Sequence, residues 1–538
     1  MVSNTLVSSL SKFGTEPDNP SETRESPALA ERIVRTLGSA LLVGTGYYIG
    51  TRVGFALTPT GQPNSTFWPP NAILLAAFLL APRRLWWTFL IAVFPAHMFA
   101  QLQTGVPLWT AVGWFLTNTS EALIGAFCIT RLAPLDKLFD SARGVFVFLV
   151  FGVIVAPLAT SFLDAAAVVL TGWGHGYWPI SAERFWTNAL AELTVVPAIV
   201  LCGSKGNSWI RKATLARCWE AGLLAVGTVL VTFVVFGFPP VSSAATPALL
   251  YAPLPFLMWA TIRFGSGGLS LSLLCTALMS IWYTMHGREP FPSASMPQNI
   301  LSLQILLCMV AVLLLFLSAI MADARRTQDS LRSISGNLIN AQEQERHRIA
   351  RELHDDLGQG LALAQVSLEG LIEESSESLK PGLTDLSSQL SAISTTAREV
   401  SHGLYPSQLE YLGLATAVKK LCDEMRRGRG LSIDFAIGNL PRELQPSVSL
   451  CLYRVVQEAL HNIITHSQAK NVQLALKADK GQIWLRIIDD GVGFDARRTK
   501  PGLGLPGMRE RVRLVNGTIS IESKPMGGTT IHVRVSLE

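Results

Sequence analysis

Residues suited to phosphorus chemistry gather in the last third of the chain. His354 stands in the run Glu345-Arg346-His347-Arg348-Ile349-Ala350-Arg351-Glu352-Leu353-His354-Asp355-Asp356-Leu357-Gly358-Gln359. As a helix, this run sets His354 beside an apolar stripe with its ring toward solvent. In most proteins a lone exposed histidine on a helix carries no function. Here Asp355 follows at once, and a carboxylate can hold one imidazole nitrogen protonated while the other attacks phosphorus. Gln359 lies one turn beyond Asp355 on the same line of the helix, where an amide could align a water against a phosphorylated aspartate of a partner. His354 and Gln359, five apart, fall on neighbouring but distinct lines.

A second constellation follows in Leu452-Tyr453-Arg454-Val455-Val456-Gln457-Glu458-Ala459-Leu460-His461-Asn462-Ile463-Ile464-Thr465-His466. Glu458, Asn462 and His466 are spaced by four and line one helix face. A carboxylate and an amide oxygen suit Mg²⁺ with retained waters. His461 and His466 point differently and no cysteine lies near them, which argues against zinc. Residues 482–488 alternate as a strand and run into Asp489-Asp490-Gly491-Val492-Gly493-Phe494. Gly502-Leu503-Gly504-Leu505-Pro506-Gly507-Met508 then precedes a helix over 509–514, and 519–523 and 530–535 read as strands around Gly527-Gly528-Thr529. Glycines let backbone amides approach phosphates. Gly502, Gly504 and Gly507 match the dinucleotide fingerprint in form, but too little chain follows to complete its βαβ unit, and no GxxxxGK[ST] loop is present.

These residues need a helical scaffold. Leu331, Ile334, Leu338 and Ala341 recur every three or four positions, and the stripe continues through Ile349, Leu353, Leu357, Leu361, Ala364, Leu368 and Leu371. Pro381-Gly382 marks a turn. A second helix runs from 383 to 404 and stops at Tyr405-Pro406. Two such hairpins, one from each of two chains, make a four-helix bundle, so a homodimer is expected.

Up to about residue 324 the composition is different. Of 538 residues, 49% are hydrophobic and only 15% charged, and the mean hydropathy is positive. The apolar residues concentrate in this first part, and length alone implies more than one domain. Ten spans are expected near 36–56, 66–82, 85–101, 109–130, 144–172, 186–204, 219–238, 246–262, 265–285 and 300–322; an eight-span alternative keeps the same ends. With the N-terminus inside, the inner connections hold Arg32, Arg35, Arg83, Arg84, Arg131, Lys137, Arg143, Lys205, Arg211, Lys212, Arg217, Arg263, Arg325 and Arg326, and the outer ones only Arg52, Arg184 and Arg288. That asymmetry is the positive-inside pattern. Glu121, Asp164 and Glu192 fall inside spans, where a carboxylate faces either a functional cavity or a neighbouring helix. Trp68-Pro69-Pro70-Asn71 opens the second span as a helix start at the interface. The seven cysteines show no CxxC pair and read as buried thiols in a reducing compartment. Residues 1–30 are polar, carry no cleavable leader and read as a disordered tail.

The segment Gly-Tyr-Tyr-Ile-Gly-Thr-Arg-Val-Gly-Phe from Gly46, followed by Phe67-Trp68-Pro69-Pro70-Asn71-Ala72, resembles the start of the MASE-type membrane sensor domain, and the layout is similar to the hexose-phosphate sensor kinase of enteric bacteria. His354, Asp355 and Gln359 match the His-Asp-x-x-x-Gln motif of the phosphoacceptor domain of NarL-partnered histidine kinases, and Leu404-Tyr405-Pro406-Ser407-Gln408-Leu409 is similar to that family's exit from the second helix. Residues 447–538 resemble the GHKL-type ATPase fold. Glu458 and Asn462 match its N box, with His466 beside the nucleotide. Asp489, Gly491 and Gly493 match its Asp-x-Gly-x-Gly box, where the aspartate meets the adenine amino group. Gly502, Gly504 and Gly507 match the second glycine box, and Gly528 with Thr529 the last. Asp490 departs from the family, which often has asparagine there.

The resemblance implies an α-helical polytopic membrane bundle, a dimeric helical hairpin and an α/β sandwich ATPase, divided as a tail 1–35, a sensor 36–323, a phosphoacceptor domain 327–410 and an ATP-binding domain 411–538. It implies a multi-pass protein of the inner membrane with a cytoplasmic kinase half, ATP and Mg²⁺, a NarL-type response regulator as partner, and no direct contact with nucleic acid. A transporter with a regulatory tail, a dead kinase acting as scaffold and another GHKL ATPase are the alternatives; the filled motif positions and the His-Asp-x-x-x-Gln helix argue against the last two. The stimulus stays open among a ligand, a membrane condition and a partner membrane protein.

Overall fold

A backbone buried in lipid must satisfy its own hydrogen bonds, so long apolar stretches there become helices. The computed structural model describes residues 26–59, 65–211, 214–238, 246–286, 291, 295–376, 378–406, 408–441, 444–495 and 504–537. Gly502, Arg288 and most of the polar tail lie outside the described residues. The chain divides into two compact units, Met1–Arg326 and Thr327–Glu538.

In the first unit, seven helices among the described residues are long and apolar enough to cross a membrane: Arg83–Gln103, Leu108–Leu132, Ala142–Leu170, Tyr177–Ser204, Leu215–Gly237, Leu254–Met285 and the one that begins at Met296. Helix Ser26–Ala56 precedes them, and the 12-residue helix Pro69–Leu80 is apolar but short. Two adjacent spans read from the sequence, 246–262 and 265–285, share the single helical element Leu254–Met285. That element breaks at Gly265, whose φ of 66° and ψ of −156° are non-helical. Its neighbours show a reversal. Arg263 pairs with Glu220 and Phe256 packs on Gly227, yet Tyr283 packs beside Gly237. One segment therefore descends along Leu215–Gly237 and the next climbs back. Glycine is required at such a backbone angle.

Side-chain bonds sort the connections into two ends. At one end Arg83 donates to Thr130, Ser266 to Asp140 at 3.2 Å, Arg326 to Asp140 at 2.8 Å and Arg325 to the Ile262 carbonyl. At the other, Gln304 donates to the Thr66 carbonyl, Thr187 to the Ser65 carbonyl and Thr110 to Thr171. The bundle core is apolar, built around Tyr47, Phe67, Phe78, Phe148, Leu190 and Leu269.

The second unit begins within helix Met296–Glu352. A π-helical turn over Leu353–Leu357 joins it to Gly358–Glu374, and Lys380–Leu404 returns antiparallel. Ser401 Oγ donates to the Ala350 carbonyl at 2.8 Å. Helix Gln408–Arg429 leads into a five-stranded sheet of β1 (Ser432–Ile437), β2 (Asn471–Asp479), β3 (Gln482–Asp489), β4 (Thr518–Ser523) and β5 (Thr529–Ser536), in the order β1-β2-β3-β5-β4. β1 and β2 are parallel and the other pairs antiparallel. Helices Pro446–Asn462 and Gly504–Leu514 join Gln408–Arg429 in one core with the sheet, through Val418, Val455, Val456, Met508, Val512, Leu474, Leu485 and Val533. β1 and β2 were not singled out in the sequence, although Val472, Leu474 and Leu476 alternate and are buried.

Candidate functional site

His354 sits inside the π-helical turn, where Gly358 N–H donates to the Leu353 carbonyl five residues back. Single π turns inside α-helices recur at functional sites. The His354 side chain is 67% exposed. Its Nδ1 lies 3.1 Å from Asp355 Oδ1. A carboxylate only accepts, so Nδ1 carries the proton, and in the neutral ring that leaves the lone pair on Nε2. The extra residue in the turn also changes the geometry expected of a plain α-helix. It rotates Gln359 toward the line of His354 and off the line of Asp355. Gln359 is exposed.

The nucleotide half is built from close backbone approaches. Asn462 Nδ2 donates to Glu458 Oε1 at 3.4 Å. A Cβ on Gly504 would overlap the Glu458 carboxylate, which would have to swing aside to admit it. The helix ends in a second π turn, Ile463–Ser467, which displaces the exposed His466 from the Glu458–Asn462 line. Asp489 ends β3, faces Thr529 in the β5 register and is 6% exposed. Its Oδ1 accepts from Gly491 N–H at 2.9 Å. Burial pushes its carboxyl above the usual range, offset in part by the hydrogen bonds from Gly491 and Thr529. A Cβ on Gly491 would strike Ser467, and one on Gly493 or Gly528, both at positive φ, would strike the backbone of Lys524 or Asp489. Gly507 leaves ordinary room for a side chain, the nearest atom being Arg511 Nη1 at 3.4 Å.

Asp490 has a different task. Its Oδ1 accepts from Lys470 and Asn471 N–H, each at 2.9 Å, and its Oδ2 from Asn471 Nδ2 at 2.8 Å. Those bonds hold its carboxyl below the usual range and pin the start of β2 against the end of β3. An acceptor is what this position needs, so aspartate serves where asparagine is frequent.

In the membrane unit, Glu121 Oε2 accepts from Thr160 Oγ1 at 2.6 Å and Asn188 Nδ2 at 2.8 Å. Asp164 accepts from Thr117 and lies 3.9 Å from Arg184. The three acids are all buried within the bundle, and no group of three His, Cys, Asp or Glu able to hold a metal occurs among the described residues.

Residues 39–325 match the MASE1 family model. Residues 345–409 match a histidine kinase model, and 448–538 match the histidine kinase-, DNA gyrase B- and HSP90-like ATPase model. The chain belongs to the MASE1 family. Its kinase half is 33% identical over 211 residues to the oxygen sensor histidine kinase NreB of Staphylococcus carnosus, covering 38% of this chain and 60% of that one. It is 31% identical over 229 residues to the sensor histidine kinase MctS of Rhizobium johnstonii, covering 40% and 48%. It is 32% identical over 223 residues to the signal transduction histidine-protein kinase/phosphatase DegS of Brevibacillus brevis, covering 40% and 56%. The chain thus spans about half to three fifths of these relatives. This MASE1 protein is a multi-pass membrane protein, and its match to the ATPase model implies ATP binding.

Proposed function

We propose that this chain is a membrane sensor kinase of a two-component pathway. It moves the γ-phosphoryl group of ATP to His354, and from there to an aspartate of a NarL-type response regulator. The observation that carries the reading is the His354–Asp355 pair: Nδ1–H is held by the carboxylate and Nε2 is free on an exposed flank. Nε2 attacks the γ-phosphorus, the bond to the bridging oxygen breaks, and ADP leaves. The regulator's carboxylate then attacks, the P–N bond breaks, and neutral His354 returns.

Buried Asp489 suits recognition of the adenine amino group, and the glycine approaches suit a phosphate chain against backbone. Mg²⁺, when bound, would neutralise phosphate charge; Glu458 and Asn462 are the residues that would hold it. Gln359 orients a water against the regulator's phosphoaspartate, which gives a phosphatase activity as well. The proposed parts are a sensor over 36–323, a phosphoacceptor hairpin over 327–410 and a cytoplasmic ATP-binding domain over 411–538. The hairpin exposes Leu357, Leu363, Val366, Ile393 and Val400 on a single chain; a second copy covers them in a homodimer.

The test is autophosphorylation of the purified full chain with γ-³²P-ATP. Label should appear on the wild type, disappear in His354→Gln, and leave ATP binding intact. Label that persists in His354→Gln would move the phosphoacceptor elsewhere.

A further inference from the structure

Three membrane helices bring carboxylate and amide oxygens together where lipid offers no water. Asn71 stands on Pro69–Leu80, Glu121 on Leu108–Leu132, and Asn188 and Glu192 on Tyr177–Arg211. Asn188 and Glu192 are four apart and share one line of their helix. All four side chains are buried, each at most 1% exposed. Asn188 Nδ2 donates to Glu121 Oε2 at 2.8 Å, and Thr160 Oγ1 donates to the same oxygen at 2.6 Å. Asn71 lies against the Glu121 carboxylate, and Glu192 is close enough to act on it electrostatically. The oxygens left over are Glu121 Oε1, Glu192 Oε1 and Oε2, Asn71 Oδ1 and Asn188 Oδ1. None of the five has a hydrogen-bond partner among the described residues, and the group holds a single orphaned donor, Asn71 Nδ2.

Buried acceptors without partners are rare, and in a bilayer core they are costly. The nearby cationic and hydroxyl groups are committed elsewhere. Arg184 lies 3.9 Å from Asp164 and stacks over the Trp114 ring at 4.6 Å. Tyr47 Oη lies 3.1 Å from His97 Nδ1, and His97 Nε2 donates to the Ala111 carbonyl. The surplus is therefore of acceptors, and it is anionic. Carboxylate and amide oxygens, with no sulfur or imidazole among them, select a hard ion. Their number selects among hard ions. Mg²⁺ keeps several waters, which side chains this buried do not offer, and Ca²⁺ takes about six to eight oxygens, more than the group presents. Glu121 already accepts from two neutral donors, so part of its charge is held by dipoles and one positive charge answers the rest.

We propose that Asn71, Glu121, Asn188 and Glu192 form a site within the membrane bundle for one small monovalent cation of the Na⁺ type. Glu192 is the principal anionic ligand, Glu121 shares the charge, and the two amide oxygens complete the set. The ion joins three helices that are far apart in sequence, so the packing of the sensor half depends on the cation. The site belongs to the membrane unit alone and is independent of the phosphoacceptor reading.

The experiment uses the purified full chain in lipid nanodiscs at constant pH and ionic strength, with choline chloride as the reference salt. Bound ²²Na⁺ should saturate at a single ion per chain and be displaced by unlabelled Na⁺ but not by choline. Replacing choline by Na⁺ should raise the thermal unfolding midpoint followed by tryptophan fluorescence, because an ion that binds only the folded state stabilises it. Glu192→Gln should lose both the bound ²²Na⁺ and the Na⁺-dependent shift. Asn71→Ala should bind ²²Na⁺ at least about tenfold more weakly, as loss of a supporting group at a metal site does. Bound ²²Na⁺ retained by Glu192→Gln, or a wild-type midpoint identical in Na⁺ and choline, would overturn the site. Equal displacement by K⁺ or Ca²⁺ would overturn the assignment to a small monovalent ion. A midpoint that follows pH and ignores every cation would mean that Glu121 and Glu192 share a proton, and the cation site would fall. Should Glu192→Gln fail to fold, the wild-type binding series and Asn71→Ala decide.

Discussion

At the scale of single residues, the two working ends of the chain depend on opposite treatments of charge. His354 and Asp355 are exposed, and their pairing works through orientation. Asp489 is buried at the end of β3 and held above the usual carboxylate range by that burial. A group whose folded pKa is raised contributes stability at low pH and loses it as pH rises through that value. Asp489→Asn removes the titration. Thermal unfolding of the nucleotide-free chain should therefore show the variant gaining on the wild type as pH rises from the acid range to neutrality, while adenine nucleotide binding falls. A gap that stays constant with pH would refute burial as the cause. Gln359 gives a second residue-level prediction. An amide has no proton to surrender near neutral pH, so its gain comes from positioning water. Gln359→Ala should label at His354 normally but fail to speed decay of phosphorylated regulator; equal decay with both proteins would leave the chain without a phosphatase arm. The roles proposed for His354, Asp355 and Gln359 come from their order in the sequence. Their mutual rotation was not, because Leu353–Leu357 is spelled as any α-helical turn would be.

At the scale of elements, the breaks matter more than the helices. Gly265 reverses the chain between two apolar segments. The sequence carried the signal in Arg263-Phe264-Gly265, a charge and a glycine between two apolar runs. Gly265→Ala places a side chain at φ 66° and should cost about 1–3 kcal/mol. A detergent-solubilised variant should unfold at lower temperature than the wild type, and an unchanged midpoint would contradict the reversal. The ion-pair cluster of Glu343 with Arg454 and Arg511 shows the other limit. Its members are separated by 111 and 168 positions, and Glu343 is one of several acids in a charged helix. No local pattern distinguishes it from Glu345, which pairs at the surface with Arg348. The missed strands are a milder case: β2 alternates clearly, whereas β1 is only six residues long.

At the scale of the whole molecule, hydropathy made the membrane bundle legible, because lipid imposes one rule on every span. Counting spans was harder where tertiary contacts replace lipid. The connections that gather at one end of the bundle, around Arg83, Asp140, Arg263 and Arg326, are those rich in arginine. Reporter fusions after Arg143 and Arg217 should read cytoplasmic, and a fusion near Gly174 periplasmic. A periplasmic signal after Arg217 would reverse the orientation of that region.

Helix Pro69–Leu80 has consequences for how the protein is made. Its 12 residues extend about 18 Å, well short of a bilayer core of about 30 Å. Ten of them are buried, so its surroundings are other helices and not lipid. A segment this short is a poor substrate for insertion as it leaves the ribosome. Its later packing partners are Leu108–Leu132 and the strongly buried helix Tyr177–Ser204, and it settles fully only when the second of these arrives, more than a hundred residues later. During that interval Asn71 and the Trp68 indole have no bilayer position of their own. Biogenesis of the sensor half is therefore a delayed closure, and substitutions in Tyr177–Ser204 should show themselves first as loss of newly made protein.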